Sequence, residues 1–329
     1  MLDIQLKVTL GGLSQRIHIA GDDPRKPVLL FLHGGPGAPN RHLIFTKHRD
    51  LLDAFILVGW DQRGVGGSFW GSDPRKMSLR RMIDDAGELV AWLCKTLKKE
   101  KIFVIGGSWG SALGVGLAYA YPEHISALVG FGQVVDGAEN ERLSWEFTIE
   151  KARAAGNAKD IAALEKVGPP VNGTYKNGTR GMITQRNLLE KYGGYSPYPQ
   201  KGNYFTSLAG PMIKSGEYSV ADLFGLPLGA LVTSWAKQFV DEIAAADLLA
   251  LCPELQVPFF IFHGAHDFNT PAPLVEPFFN AIQAPRKELH WFEHSGHNPM
   301  NDEPEKFKAL LREKLREVFS CAESPPNVL

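Results

Sequence analysis

Gly106-Gly107-Ser108-Trp109-Gly110 follows the apolar run Lys101-Ile102-Phe103-Val104-Ile105 and precedes the helix-forming stretch from Ser111 to Tyr119. Strand, Gly-x-Ser-x-Gly, then helix is the order of a nucleophile elbow. The turn is tight, so small residues must flank the serine where side chains would collide. Its strain holds the Ser108 hydroxyl out at the end of a sheet. The helix start behind it offers unpaired N–H groups and a positive dipole end to a developing oxyanion. The pentapeptide alone is often a plain Gly/Ser turn; the flanking strand and helix turn it into an expectation of acyl-transfer chemistry at Ser108.

A serine hydroxyl needs a base, and the base needs an orienting carboxylate. One known chain order is Ser, then acid, then His, and the C-terminal part supplies both partners in that order. Pro258 to Gly264 reads as a buried strand running into Ala265-His266-Asp267, with Asn269-Thr270-Pro271 closing the turn. Glu288 to Phe292 reads as another strand, ending in Glu293-His294-Ser295-Gly296-His297-Asn298-Pro299. Asp267 is therefore the expected acid and His297 the expected base, each on a loop just past a strand. His294 is the alternative base, nearer the strand end. His290 reads as a half-buried strand residue, and His263 and His266 as structural or pocket-wall residues. Asp302 follows His297 and breaks the order; Asp247 precedes the strand and reads as a helix or surface residue.

The oxyanion needs a second donor. Val28 to Leu32 is a buried-strand run, and His33-Gly34-Gly35-Pro36-Gly37 follows it. Glycines let backbone N–H groups approach a substrate oxygen closely. The expected donors are the N–H groups of Gly35, with Gly34 as the alternative, and of Trp109 after the nucleophile.

Three motifs together carry a family resemblance: His33-Gly34-Gly35-Pro36-Gly37, Asp61-Gln62-Arg63-Gly64 through Ser68, and Gly106-Gly107-Ser108-Trp109-Gly110-Ser111. With Gly264 to Asp267 and Ser295 to Pro299, the chain resembles the proline iminopeptidases, serine α/β-hydrolases with a helical cap. The resemblance covers nearly the whole chain apart from the cap. It implies release of amino-terminal residues, proline first, from small peptides; the family also contains members that cleave esters, lactones or other amides. It further implies a cap carboxylate for the substrate amine, just before a His-Tyr-Phe stretch. Here the comparable stretch is Lys201-Gly202-Asn203-Tyr204-Phe205. Aligned on Tyr204 and Phe205, the glutamate position falls on Lys201, whose charge repels an ammonium group. Glu146 is then the first choice for the amine, with Glu139, Glu217 and Asp222 as alternatives. A carboxylesterase or lactonase is the runner-up function, and a non-catalytic binder on the same fold the third.

The remaining elements must hold these loops. Residues 3–20 read as two strands around Gly11-Gly12. Phe55 to Trp60 and Ala127 to Phe131 are further strands. Ser78 to Lys99 carries apolar residues at helical spacing behind a capping serine. Strands alternating with helices imply a mostly parallel sheet with helices on both faces, and the family resemblance implies that it is the α/β-hydrolase fold. Around residue 133 strand-like runs stop until Pro258. Asp136 to Ala155, Ala158 to Val167, Arg180 to Tyr192 and Leu231 to Leu251 read as helical. The expected organisation is a core of residues 1–132 and 253–329 with an inserted helical cap at 133–252. Its aromatics Trp145, Tyr195, Tyr198, Tyr204, Phe205, Phe224 and Trp235 are expected mainly in cap packing, with Tyr204 and Phe205 the candidates for substrate contact. Ser324 to Asn327 reads as a frayed tail.

Composition bounds the partners. The 329 residues carry 35 Lys+Arg against 36 Asp+Glu, a net charge of −1, which gives no electrostatic case for nucleic acid or an anionic membrane. Cys94, Cys252 and Cys321 are odd in number without metal-like spacing, so reduced thiols in the cytoplasm are expected. No secretory leader or membrane span is expected, and no cofactor or metal. The expected partner is a small-molecule or short-peptide substrate; oligomeric state is not legible.

Overall fold

The expected hairpin forms as β1 (Leu2–Leu10) against β2 (Leu13–Gly21), Leu10 facing Leu13 across the turn. The computed structural model describes residues 2–198, 204–223 and 235–323. Six further strands follow: β3 (Val28–Leu32), β4 (Ile56–Trp60), β5 (Ile102–Gly107), β6 (Ile125–Phe131), β7 (Phe259–Gly264) and β8 (Lys287–Phe292). They form one sheet in the order β1-β2-β4-β3-β5-β6-β7-β8. The pairs β1/β2 and β2/β4 are antiparallel, and every pair from β4/β3 to β7/β8 is parallel. β3, β4, β5 and β7 are buried along their whole length, as parallel strands covered on both faces must be.

Successive strand residues serve opposite layers. Leu30, Val104 and Leu128 pack with Leu89, Val90 and Leu93 of helix α2 (Leu79–Leu97) and Leu113, Val115 and Leu117 of helix α3 (Trp109–Ala120). Leu29, Phe103 and Val129 face the other way, toward Phe45, Leu51, Phe307, Leu311 and Leu315. α2 begins as expected, Ser78 Oγ accepting the Arg81 N–H at 3.1 Å.

Between β6 and β7 the described residues form helices and loops. Asp136 caps α4 (Gly137–Ala154), accepting the Glu139 N–H at 2.8 Å, and Asn157 caps α5 (Ala158–Val167). α6 spans Thr179–Lys191 and α7 Tyr204–Ser215. The single helix expected over Leu231 to Leu251 is corrected: helices at Lys237–Ala244 and Leu248–Leu251 are separate, and residues 231–234 lie outside the described residues. The break has a local cause. Asp247 accepts the N–H groups of Leu249 and Ala250 at 2.9 and 3.2 Å and starts a new helix, which is what a short acidic side chain does at an N-cap. Ser324 to Asn327 lie outside the described residues.

Asp61-Gln62-Arg63 ties three segments together. Asp61 takes a two-point bond from Arg41 at 2.8 and 2.9 Å, both side chains fully buried. Arg63 binds Asp85 of α2 at 2.7 and 2.9 Å and the Leu10 and Gly11 carbonyls at 3.1 Å. Gln62 reaches the elbow and the His33 loop. Removing one partner of a buried pair strands the other charge. Arg41→Met should therefore cost about 3–5 kcal/mol, read as a lowered urea midpoint; a change under about 1 kcal/mol would mean that Asp61 finds another partner.

Candidate active site

Ser108 sits between the buried end of β5 and the start of α3 with φ 54° and ψ −127°. For a residue with a Cβ this backbone is strained. Three hydrogen bonds hold it. Ser108 N–H donates to Phe131 O at 3.0 Å, Ser111 N–H to Ser108 O at 2.8 Å, and Ser111 Oγ to Ser108 O at 2.6 Å. The first loop lies directly against the serine: a Cβ built on Gly34 would stand 3.1 Å from Ser108 Cβ. As the first residue of α3, Trp109 has no intrahelical acceptor for its N–H.

Asp267 and His297, on the loops after β7 and β8, are in contact. His297 Nδ1 lies 2.9 Å from Asp267 Oδ2. The carboxylate is fully buried and also accepts from Asn269 N–H at 2.8 Å, Thr270 N–H at 2.9 Å and Thr270 Oγ at 2.6 Å. Burial pulls its pKa up, but the charge and hydrogen bond of His297, with His263 and Thr270, hold it below the usual value. It is thus ionised at neutral pH and accepts a proton-bearing Nδ1, leaving the lone pair on Nε2. Gly132, at φ 49°, lets the ring come close: a Cβ there would lie 3.0 Å from His297 Cε1. Gly132 directly follows Phe131, whose carbonyl holds Ser108, so His297 and Ser108 both lie at the end of β6.

His33 sets the first loop. Its Nδ1–H donates to Gly34 O at 2.9 Å, and its Nε2 accepts the Gln62 N–H at 3.1 Å. Burial pushes its pKa down, keeping the ring neutral. The Gln62 side chain donates to His33 O at 3.0 Å and accepts the Trp109 indole N–H at 2.9 Å. The loop carrying Gly34 and Gly35 and the helix start at Trp109 are thereby locked to one another.

The chain between β6 and β7 grips both other loops. His297 N–H donates to Tyr195 O at 2.7 Å and Phe268 N–H to Gly194 O at 2.8 Å. Asn140 of α4 donates to Asn269 O at 2.9 Å, and Phe147 stacks on Phe268 at 3.9 Å. The sequence reading missed Gly132, Asn269, Thr270 and Gln62 as site residues. A spacing of three from Asp267 to Thr270 was the available signal for one of them.

The α/β-hydrolase fold family matches residues 27–160. A probable aminopeptidase of Bacillus subtilis is 27% identical over 315 residues, 95% of this chain and 96% of its own. The solved proline iminopeptidase of Mycobacterium smegmatis superposes with a TM-score of 0.70 at 18% identity, over 97% of this chain and 100% of that one. An esterase from Exiguobacterium antarcticum superposes at 0.61 with 19% identity, over 95% and 100%. The chain is an α/β-hydrolase-fold enzyme resembling the proline iminopeptidases.

The other C-terminal histidines are exposed or bonded elsewhere. His294 is exposed, its N–H bonded to Glu303. His290 bonds Glu288 at 3.0 Å, and His266 is exposed. His263 is buried, accepting Gln133 N–H and facing Thr270 O, both at 3.0 Å. The carboxylates between β6 and β7 are engaged as well. Glu146 meets Arg142 with both oxygens, at 2.7 and 2.8 Å, in a pair about 43% exposed. Arg142 also binds Glu139. Glu217 is held by His18 at 2.7 Å and Gln5 at 3.2 Å, and Asp222 accepts the Ser219 N–H at 3.0 Å. Tyr204 and Phe205 open α7; their side chains, with Lys201 and Phe224, lie outside the described residues. Trp145 packs with Ile149 and Leu164, while Tyr198 and Trp235 are exposed. Among the described residues no group of three His, Cys, Asp or Glu could hold a metal, and no helix is long and apolar enough to cross a membrane.

Proposed function

We propose that this enzyme hydrolyses small acyl substrates through a covalent acyl-serine, with Ser108 as nucleophile, His297 as base and Asp267 as orienting acid. The observation that carries it is the Asp267–His297 bond at 2.9 Å beside a serine held at φ 54°. His297 Nε2 takes the Ser108 proton as Oγ attacks the carbonyl carbon. The oxyanion is received by the N–H groups of Trp109 and Gly35, or Gly34. His297 then gives the proton to the leaving group, and water reverses the sequence to free the acid.

The relatives named as aminopeptidases support release of an amino-terminal residue from a small peptide or amide. A second reading, hydrolysis of a carboxylic ester or lactone, is favoured by the engagement of Glu139, Glu146, Glu217 and Asp222 with groups of the protein itself. An ammonium group entering the cap would have to share these carboxylates with the partners they already hold. A rate panel separates the two readings. Short activated esters should be cleaved readily, and prolyl-arylamide more slowly. N-acetylation should change the arylamide rate by less than about 10-fold, because no amine–carboxylate pair is lost. Strong prolyl-arylamide turnover abolished by N-acetylation would establish the aminopeptidase reading and make Glu146→Gln the first variant to measure.

A further inference from the structure

His297 has a second partner. Asn269 Nδ2 lies 3.1 Å from His297 Nε2, on the nitrogen that must receive the serine proton. Among the described residues no hydrogen bond joins Ser108 Oγ to that nitrogen. The backbone that carries this amide is well anchored. Asn269 N–H donates to Asp267 Oδ1 at 2.8 Å, and Asn269 O accepts from Asn140 of α4 at 2.9 Å. The ring is thus held at both nitrogens by groups of opposite sense. Asp267 accepts at Nδ1, and Asn269 donates at Nε2. Both select the same form, a neutral imidazole with its proton on Nδ1 and its lone pair at Nε2.

We propose that Asn269 is a positioning residue that poises His297 as a base: its amide fixes the ring plane and the tautomer in the resting enzyme and hands Nε2 to Ser108 when substrate binds. The inference rests on the triad reading above. The bond at Nδ1 restrains one edge of the ring. A donor at Nε2 restrains the other and excludes the tautomer in which Nε2 carries the proton. An amide–imidazole hydrogen bond is weak enough to be exchanged for Ser108 Oγ–H in each turnover, and catalytic hydrogen bonds commonly tighten only in the substrate complex.

The polarity of the group is the test. Asn269→Leu removes the donor, and Asn269→Asp replaces it, at equal size, with an acceptor. The Asp carboxylate would call a proton to Nε2 and, with Asp267 at Nδ1, hold the ring as imidazolium. The other groups facing this ring are Thr270 Oγ, 3.1 Å from Nδ1, Asp302, through its charge, His263, 3.5 Å from Asp267 Oδ2, and the Tyr195 ring at 5.0 Å; neither substitution replaces them. With a p-nitrophenyl ester, Leu should lower kcat about 5- to 10-fold with KM within about 2-fold. Asp should lower kcat roughly 30- to 100-fold at pH 7 and recover to the Leu level as pH rises toward about 9. Thermal melting of both variants checks folding, and the Asp variant against wild type suffices should Leu fail to fold. Wild-type kcat in both, equal loss at every pH, or a change in KM alone would overturn the proposal. Full activity of Ser108→Ala would instead overturn the triad reading, and this inference with it.

Discussion

Ser108→Ala should fold as the parent does and lose about 10⁴-fold or more in kcat. The size of the loss follows from the way a nucleophile and its base act as one unit: with no Oγ, the proton-accepting His297 has nothing to activate. What remains is binding and oxyanion stabilisation, worth roughly 10³–10⁴ over water. Folding should be spared because the change deletes only Oγ. The hydrogen bonds that hold the elbow run through Ser108 N–H and O to Phe131 and Ser111, and they survive. Alanine has the same Cβ, so the strain at φ 54° is unchanged. The measurement is ester turnover beside a thermal melt and labelling by a fluorophosphonate. A well-folded variant that keeps near-parent turnover would place the nucleophile elsewhere.

His297→Ala should be equally disabling, whereas His294→Ala should keep at least about half the parent kcat. The two residues are three apart on one loop, but only His297 meets Asp267, at 2.9 Å; His294 is exposed. Losing the imidazole leaves Asp267 with three donors, Asn269 N–H, Thr270 N–H and Thr270 Oγ, so the carboxylate is not stranded. The loop should therefore persist, and the loss should fall on kcat with little effect on melting. If His294→Ala were the dead variant, the base would have to be reassigned.

The strands and the elbow were legible because their signals are local. Val28–Leu32 and Ile102–Gly107 are unbroken apolar runs, Phe259–Gly264 is apolar but for His263, and each is followed by a turn. Chain order then singled out Asp267 and His297, which the fold brings into contact. The helix drawn over Leu231 to Leu251 went astray at Asp247, where apolar spacing continued but the side chain started a new helix. Glu146 shows a signal that was present but not used: Arg142 stands four residues before it, the spacing at which opposite charges meet on one helix face. Other contacts had no local signature. Gly132 lies against His297, 165 positions further along the chain, and Gln62 reaches Trp109 and His33 from a strand away. Such partners follow from topology, and nothing in their own neighbourhoods announces them. The Asp61-Gln62-Arg63 motif was visible as a family mark, but its role as a tie between Arg41, the His33 loop and Asp85 emerged only from the packing.

The bonds from Gly194 and Tyr195 to Phe268 and His297, and from Asn140 to Asn269, bear on how this enzyme could be redesigned. The insertion between β6 and β7 is not an interchangeable module resting on finished machinery. Part of it serves as scaffolding for the acid and histidine loops. A chimera that swapped the whole insertion for a relative's would remove the acceptor of the His297 N–H and the tether of Asn269 in one step. Grafts intended to change substrate preference should therefore keep Asn140 and residues 193–198 and exchange only the segments between and beyond them.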